Sequence, residues 1–353
     1  MDSKQKHYAE ISAAKGILII LMVIGHSGVP SIIGEPLSLL RMPCFFMISG
    51  YLFKEKYLND TKQFVYKKVK GLYFPFVKWS LIFMLLHNFF YHIHIYNTEY
   101  TFNNVLSKTL QILTMTGSDQ LTGGFWFLKE LLYASIISYF IFKLLNALRI
   151  RLNLKTLISS SLLLVILAYI LSIITFKLPT VGSKTLLATA YFITGATFHR
   201  AELLFTNINK LKTGIVLFVI FVISSFYVKG SIECQGYTIF QYYVVSVIAS
   251  ISLIYLTKLL GHKLMNILDY VGKRTLYILI FHFISFKLVS LAVIIIDKRE
   301  FSELASFPVI ENDSNIIWLV YTIVGVLVPL FFKWGMDNVS SVYNKYCHFK
   351  KLQ

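Results

Sequence analysis

Ten apolar segments follow one another along this 353-residue chain, each bounded by charged or turn-forming residues. Most of them have about 17 to 25 residues, the length that a helix needs to cross a hydrocarbon layer about 30 Å thick. The pattern predicts an all-α integral membrane protein in which about ten transmembrane helices form one bundle. The segments are residues 11–28, 36–53, 72–96, 126–148, 154–174, 184–198, 213–229, 239–260, 275–296 and 315–335.

The composition supports a membrane protein. Hydrophobic residues make up 56% of the chain and charged residues only 14%, whereas a soluble domain has about 25% charged residues. No internal repeat, linker or low-complexity segment divides the chain. We therefore expect a single polytopic transmembrane domain over residues 1–353.

The basic residues predict the orientation of this domain. With the N-terminus inside, 23 of the 34 lysines and arginines fall in cytoplasmic segments and 6 fall in outside segments. Cytoplasmic loops of membrane proteins carry such an excess. Both termini and the 54–70 loop are thus predicted inside, with 97–125 and 297–314 outside. Insertion and contact with anionic lipid headgroups account for the net charge of +17, so we expect membrane lipids and no nucleic acid as partners.

The first segment, ISAAKGILIILMVIGHSG, contains Lys15 and His26. They are eleven residues apart, which places them on one helix face and about 16 Å apart along its axis. Ionisable groups inside a membrane often mark functional sites. Histidine is a natural general base near neutral pH. The structural alternative is that Lys15 extends to the headgroups and His26 only reaches the opposite interface.

Two further charged side chains are predicted near the depth of His26. Arg41 enters the second segment from the outside, and its guanidinium needs a carboxylate, a phosphate or an oxyanion. Glu130 lies about one turn into the fourth segment. Its carboxylate could orient the His26 imidazole, neutralise Arg41, or pair with neighbouring Lys129 at the interface.

His282 lies about a third of the way into the ninth segment, counted from the cytoplasm. A lone histidine in an apolar helix more often hydrogen-bonds to a neighbour than acts in chemistry. His87, His92 and His94 lie among tyrosines at the end of the third segment, which predicts an aromatic belt at the membrane interface. No CxxC or Cys/His cluster indicates a metal site.

Two other stretches have structural interpretations. Pro43 interrupts helical hydrogen bonding in the second segment, and Ser49-Gly50 permits a neighbouring helix to approach closely. The stretch GSDQLTGG, residues 117–124, predicts a flexible lead into the fourth segment.

Taken together, four stretches resemble membrane acyltransferase family 3. They are the basic residue, ten intervening residues and histidine of the first segment, MPCFFMISGYLF of the second, FWFLKELLY of the fourth and LYILIFHF of the ninth. The fucose 4-O-acetylase-like branch is the most similar. The resemblance implies transfer of an acyl group, usually acetyl from cytoplasmic acetyl-CoA, to a hydroxyl of a cell-surface glycan or its lipid-linked precursor.

By position, the resemblance makes His26 the essential histidine and puts Lys15 where the family usually has arginine. Lysine keeps the charge but lacks the bidentate fork that suits phosphate. We expect His26, Arg41 and Glu130 as catalytic residues, and Lys15 and His282 as acetyl-CoA contacts, without a metal.

The resemblance also implies a multi-pass protein of the inner (cytoplasmic) membrane whose acceptor is a glycan or a lipid-linked sugar. The alternative is a transporter or flippase for a lipid-linked sugar or polysaccharide, in which the buried charges line a substrate path. The sequence does not indicate an oligomeric state.

Single-cysteine labelling tests the orientation. In a chain whose three native cysteines are replaced by serine, Lys108→Cys and Lys298→Cys should react with an impermeant maleimide in intact cells. Lys62→Cys should react only after the membrane is permeabilised, because the 54–70 loop is predicted inside. Reaction of Lys62→Cys in intact cells would overturn the predicted orientation.

Overall fold

The computed structural model describes residues 3–174, 180–311 and 316–350, and these residues form helices and turns without a β-strand. Shorter turns connect the helices, among them a π-helical turn at Val69–Tyr73 and a 3-10 helix at Gln120–Phe125. The α-helices are α1 (Ser3–Ile24), α2 (Ser31–Tyr51), α3 (Thr61–Lys68), α4 (Phe74–Leu85), α5 (His87–His92), α6 (Phe102–Leu113), α7 (Trp126–Ala147), α8 (Leu154–Ile173), α9 (Ser183–Leu204), α10 (Lys210–Ser225), α11 (Thr238–Thr257), α12 (His262–Gly272), α13 (Thr275–Asp297) and α14 (Ile317–Lys350).

The helices confirm the all-α class, and every predicted apolar segment falls on a helix or a pair of helices. Six helices of the described residues are long and apolar enough to cross a membrane: α2, α7 with the turn before it, α8, α11, α13 and α14. The count of ten spans and the orientation stay predictions. Residues 312–315, which belong to the predicted outside loop and the start of the last segment, lie outside the described residues.

Glycines bring the backbones of α2 and α9 together. A Cβ atom added at Gly50 would overlap the carbonyl oxygen of Phe192, and one added at Gly195 would overlap the carbonyl oxygen of Met47. Small residues permit such approach between helices in membranes. The interpretation of Gly50 as a close-packing residue is therefore confirmed. Glycines also allow α1 and α12 to pack closely, because Gly16 and Gly272 each contact the backbone of the facing helix.

The prediction of a flexible lead at 117–124 is wrong. Residues 120–125 form a 3-10 helix whose Leu121, Gly124 and Phe125 are buried. A Cβ added at Gly124 would lie 3.1 Å from a methyl carbon of Leu279 and 3.5 Å from Cε1 of His282. The glycine thus reflects close packing on α13, which its spacing in the sequence does not distinguish from flexibility.

A carboxylate–histidine contact holds the start of this 3-10 helix. Asp119 accepts a hydrogen bond from the backbone N–H of Gln120, and its other oxygen lies 2.9 Å from Nδ1 of His87. The imidazole lies between the rings of Tyr96 and Tyr100, with centroids 4.2 and 3.4 Å away. His87 is therefore buried in the protein and not part of a surface belt.

Substitution at the α2–α9 contact tests this packing. Gly195→Ala should lower stability by about 1–3 kcal/mol, because the methyl group must push two backbones apart. Gly335→Ala is the matched control: it lies within α14, has nothing within 4 Å of its added Cβ, and should gain up to about 1 kcal/mol from helix propensity. Thermal unfolding in detergent measures both, and equal midpoints would refute the tight contact.

Candidate active site

One cavity of about 250 Å³ joins the two ionisable residues of the first segment. Lys15 and His26 both line it, with Ile19 and Met22 of α1 between them. The spacing in the sequence predicts that the two residues face the same space, and the cavity confirms this, although His26 lies in the turn that follows the end of α1 at Ile24. The other walls come from α2, the Val69–Tyr73 turn, Gly124, α7 and α13.

The walls between the two ends are largely apolar. Met42 and Phe45 of α2, and Phe127, Leu128 and Leu131 of α7, supply much of the lining. Ser49 and Thr275 are among the few polar groups on it. An elongated apolar cavity with a cation at one end and an imidazole at the other suits a ligand that has a charged head and a thin reactive arm.

Positive charge gathers at the Lys15 end. Lys15 makes no hydrogen bond or ion pair with any other described side chain, so its ammonium is available to a ligand. Lys70 directly precedes the lining residue Gly71, and Lys273 and Arg274 directly precede the lining residue Thr275. Asp269, whose carboxylate is bound to Lys273 at 2.5 Å, lies close enough to interact electrostatically with Lys15.

At the other end, His26 lies beside His282. Their ring centroids are 5.6 Å apart, and Phe283 contacts both rings at 5.1 and 3.9 Å. Depth counted along each apolar segment places the two histidines apart. In the structure, however, α13 begins beside Lys15, since Thr275 and Lys15 line the same cavity. His282 of α13 therefore lies near His26. His282 itself does not line the cavity and is fully buried.

Arg41 lies against the backbone next to His26. A Cβ atom added at Gly25 would overlap the Arg41 guanidinium, whose buried Nη1 has no hydrogen-bond partner. No carboxylate among the described residues forms an ion pair with it. The glycine before the histidine therefore makes room for a cation, although Arg41 is not on the cavity wall.

Glu130 is placed away from these groups. Its buried carboxylate accepts a hydrogen bond of 2.7 Å from Thr185 of α9. Within the described part of the chain, no hydrogen bond or ion pair joins it to His26 or Arg41. Lys129 instead lies over the ring of Tyr133, 5.7 Å from its centroid. The carboxylate therefore connects α7 to α9. No charge pattern in the sequence indicates Thr185 as its partner.

The segment 301–310 covers the histidine end. Phe307 packs on Phe283 at 4.6 Å, and Val309 lies against Gly28. Buried Lys287 holds the segment by donating to the carbonyl oxygens of Leu304 and Ser306 at 2.8 and 2.6 Å. Sequence reasoning missed this contact because the acceptors are backbone groups. The available signal was a lysine within an apolar segment that has no acidic neighbour in sequence.

A double-mutant cycle tests the contact of Arg41 with Gly25. Gly25→Ala should lower stability by about 1–3 kcal/mol, since its methyl group needs the space of the guanidinium. In the Arg41→Ala background the same change should cost much less, with a coupling of about 0.5–3 kcal/mol. Additive thermal shifts from the two substitutions would show that the Arg41 guanidinium does not occupy the space next to Gly25.

A family model described as an acyltransferase domain matches residues 8–334, which is most of the chain. No curated protein and no solved structure matches the chain. The matched region contains both ends of the cavity and all the helices that line it. The chain therefore belongs to membrane acyltransferase family 3 and is a multi-pass membrane acyltransferase.

Proposed function

We propose that the protein is an O-acetyltransferase that moves the acetyl group of acetyl-CoA to a hydroxyl of a glycan or its lipid-linked precursor. One observation carries the proposal: a single cavity connects an unpaired lysine to a histidine. An eleven-residue separation of this kind corresponds to about 16 Å along a helix, a distance that the pantetheine arm of CoA can span.

The Lys15 end is proposed to bind the phosphate groups of the donor. Lys15 makes no hydrogen bond or ion pair within the described part of the chain, and Lys70, Lys273 and Arg274 adjoin the lining residues. Lysine binds phosphate as a point charge. The apolar walls above it accommodate the uncharged arm and exclude water from the thioester.

The histidine end is proposed to carry the chemistry. His26 takes the proton of the acceptor hydroxyl, and the hydroxyl oxygen bonds to the thioester carbonyl carbon. The carbon–sulfur bond then breaks, and the CoA sulfur leaves with the proton that His26 returns. The ester and free CoA are the products, and no further reactant is needed.

Arg41 and Glu130 take more limited roles in this proposal. The Arg41 charge lies next to His26 but off the cavity wall, so it would stabilise negative charge in the transition state through its field. Glu130 would hold α7 in place through Thr185. Of the three expected catalytic residues, His26 lies on the cavity wall and Arg41 and Glu130 do not.

The glycan acceptor and the inner-membrane location rest on the motif resemblance. The transporter or flippase alternative needs no acyl donor. Incubation of the reconstituted protein with acetyl-labelled acetyl-CoA and surface-glycan fractions separates the two, since only the transferase moves label to the glycan. Glycan translocation without label transfer would favour the alternative.

His26→Gln tests the general base. Glutamine keeps a polar side chain but does not accept a proton at neutral pH, so transfer should fall by about 10²–10⁴-fold. Donor binding and the melting temperature should stay near wild type. The control is His92→Gln, an exposed histidine that should transfer normally. Near-normal turnover by His26→Gln would end the assignment.

Lys15 substitutions test the donor site. Lys15→Met should weaken acetyl-CoA binding by roughly 10- to 150-fold, because one charge-assisted hydrogen bond of about 1.5–3 kcal/mol is lost. Lys15→Arg should bind as well as wild type or better. Lys212→Met removes an exposed lysine remote from the cavity and should bind normally. Unchanged affinity in Lys15→Met would contradict the donor site.

A further inference from the structure

We propose that His282 is the positioning residue for His26, and that its Nε2 accepts a hydrogen bond from the His26 imidazole. The inference rests on the proposed role of His26 as general base. It replaces two roles that the sequence suggested. Glu130 was expected to orient the His26 imidazole, and His282 was expected to contact acetyl-CoA. Three features of the structure support it.

First, the backbone fixes the tautomer of His282. Its Nδ1 lies 3.1 Å from the carbonyl oxygen of Ile278 and 3.0 Å from that of Leu279. Carbonyl oxygens only accept hydrogen bonds, so Nδ1 carries the proton and donates it. In the neutral ring, Nε2 then bears the lone pair and is an acceptor.

Second, this acceptor has no hydrogen-bond partner among the residues that the structure describes. Nε2 of His282 is buried and makes no hydrogen bond. A buried polar atom without a partner costs about 1–3 kcal/mol, so such atoms commonly have a functional reason. His282 does not line the cavity, so Nε2 is not part of the wall that would face a bound donor.

Third, His26 is a polar side chain that lies next to His282. The rings that surround His282 are those of His26, Phe283 and Phe286, at centroid distances of 5.6, 3.9 and 5.8 Å. The 3-10 helix contributes Gly124, which has no side chain. A centroid separation of 5.6 Å leaves room for a hydrogen bond between the two rings, and hydrogen bonds of this kind often tighten only when substrate binds.

The hydrogen bond would decide how His26 works. If the N–H of one His26 nitrogen donates a hydrogen bond to His282, the other nitrogen carries the lone pair and faces the cavity. That nitrogen is then ready to accept the proton of the hydroxyl. A base oriented by a third group is a recurring arrangement in acyl transfer. The His282 lone pair also stabilises the imidazolium that forms on His26.

The test compares His282→Leu with His282→Gln in the full-length protein reconstituted in lipid. Leucine fills the apolar site without an acceptor, whereas glutamine offers its amide oxygen to His26. Removing an orienting group costs up to about 10⁴-fold in acyl transfer. We expect His282→Leu to lose 10²-fold or more in kcat at unchanged KM for acetyl-CoA, and His282→Gln to recover at least tenfold of it.

A second measurement does not depend on acetyl transfer. Diethyl pyrocarbonate modifies unprotonated imidazole nitrogens, and mass spectrometry of the peptide that contains His26 gives its rate of modification. Exposed His92 serves as the internal reference in the same molecule. Relative to His92, His26 should react several-fold more slowly in His282→Leu than in wild type, because its nitrogen is no longer held toward the cavity.

The outcomes separate this inference from the proposed function. Wild-type kcat in His282→Leu would overturn it. A raised KM for acetyl-CoA at unchanged kcat would also overturn it, because His282 would then contact the donor. If wild type transfers no acetyl group but His26 modification still depends on His282, the proposed donor fails and the histidine pair stands. Independence of the two histidines in both measurements would refute the pair.

Discussion

The cost of placing a polar group in an apolar environment shapes this bundle more than any other constraint. Inside a membrane such a group must have a partner, a cavity or a function. The carboxylate of Glu130 accepts a hydrogen bond from Thr185, and the ammonium of Lys287 has two carbonyl oxygens. Lys15 and His26 have the cavity.

Close backbone contacts make this arrangement possible. At Gly16 the backbone of α1 meets α12, and at Gly50 and Gly195 the backbones of α2 and α9 meet. Helices that touch at their backbones diverge elsewhere, and side chains or a cavity occupy the space between them. Gly25 and Gly124 act at smaller scale, since their missing side chains leave room for the guanidinium of Arg41 and for a methyl group of Leu279.

The sequence predicted the features that depend on periodicity and composition. The helical class followed from apolar segments, and the shared face of Lys15 and His26 followed from their spacing. It did not predict that His26 and His282 meet, because depth counted along each helix ignores the offset between helices. It misjudged residues 117–124, because a glycine pair has the same appearance in a flexible lead and in a tightly packed turn.

The site residues divide in the same way. His26 was identifiable because an ionisable group in an apolar segment is rare and its spacing from Lys15 is regular. The partners of Glu130 and Lys287 were not, since a threonine hydroxyl and two backbone carbonyl oxygens give no charge signal. Long-range pairing of neutral groups is set by how helices pack, which one sequence does not encode in a local pattern.

The segment 301–310 has a consequence for the membrane itself. A hollow protein that carries titratable groups along its interior is a potential proton leak, and a cell that maintains an ion gradient has to prevent that. The rings of Phe283 and Phe307 pack together beside the imidazoles, and Lys287 holds the segment through two carbonyl oxygens. Under the proposed function, an acceptor that enters from this side would have to displace these rings, which otherwise keep the imidazoles electrically insulated.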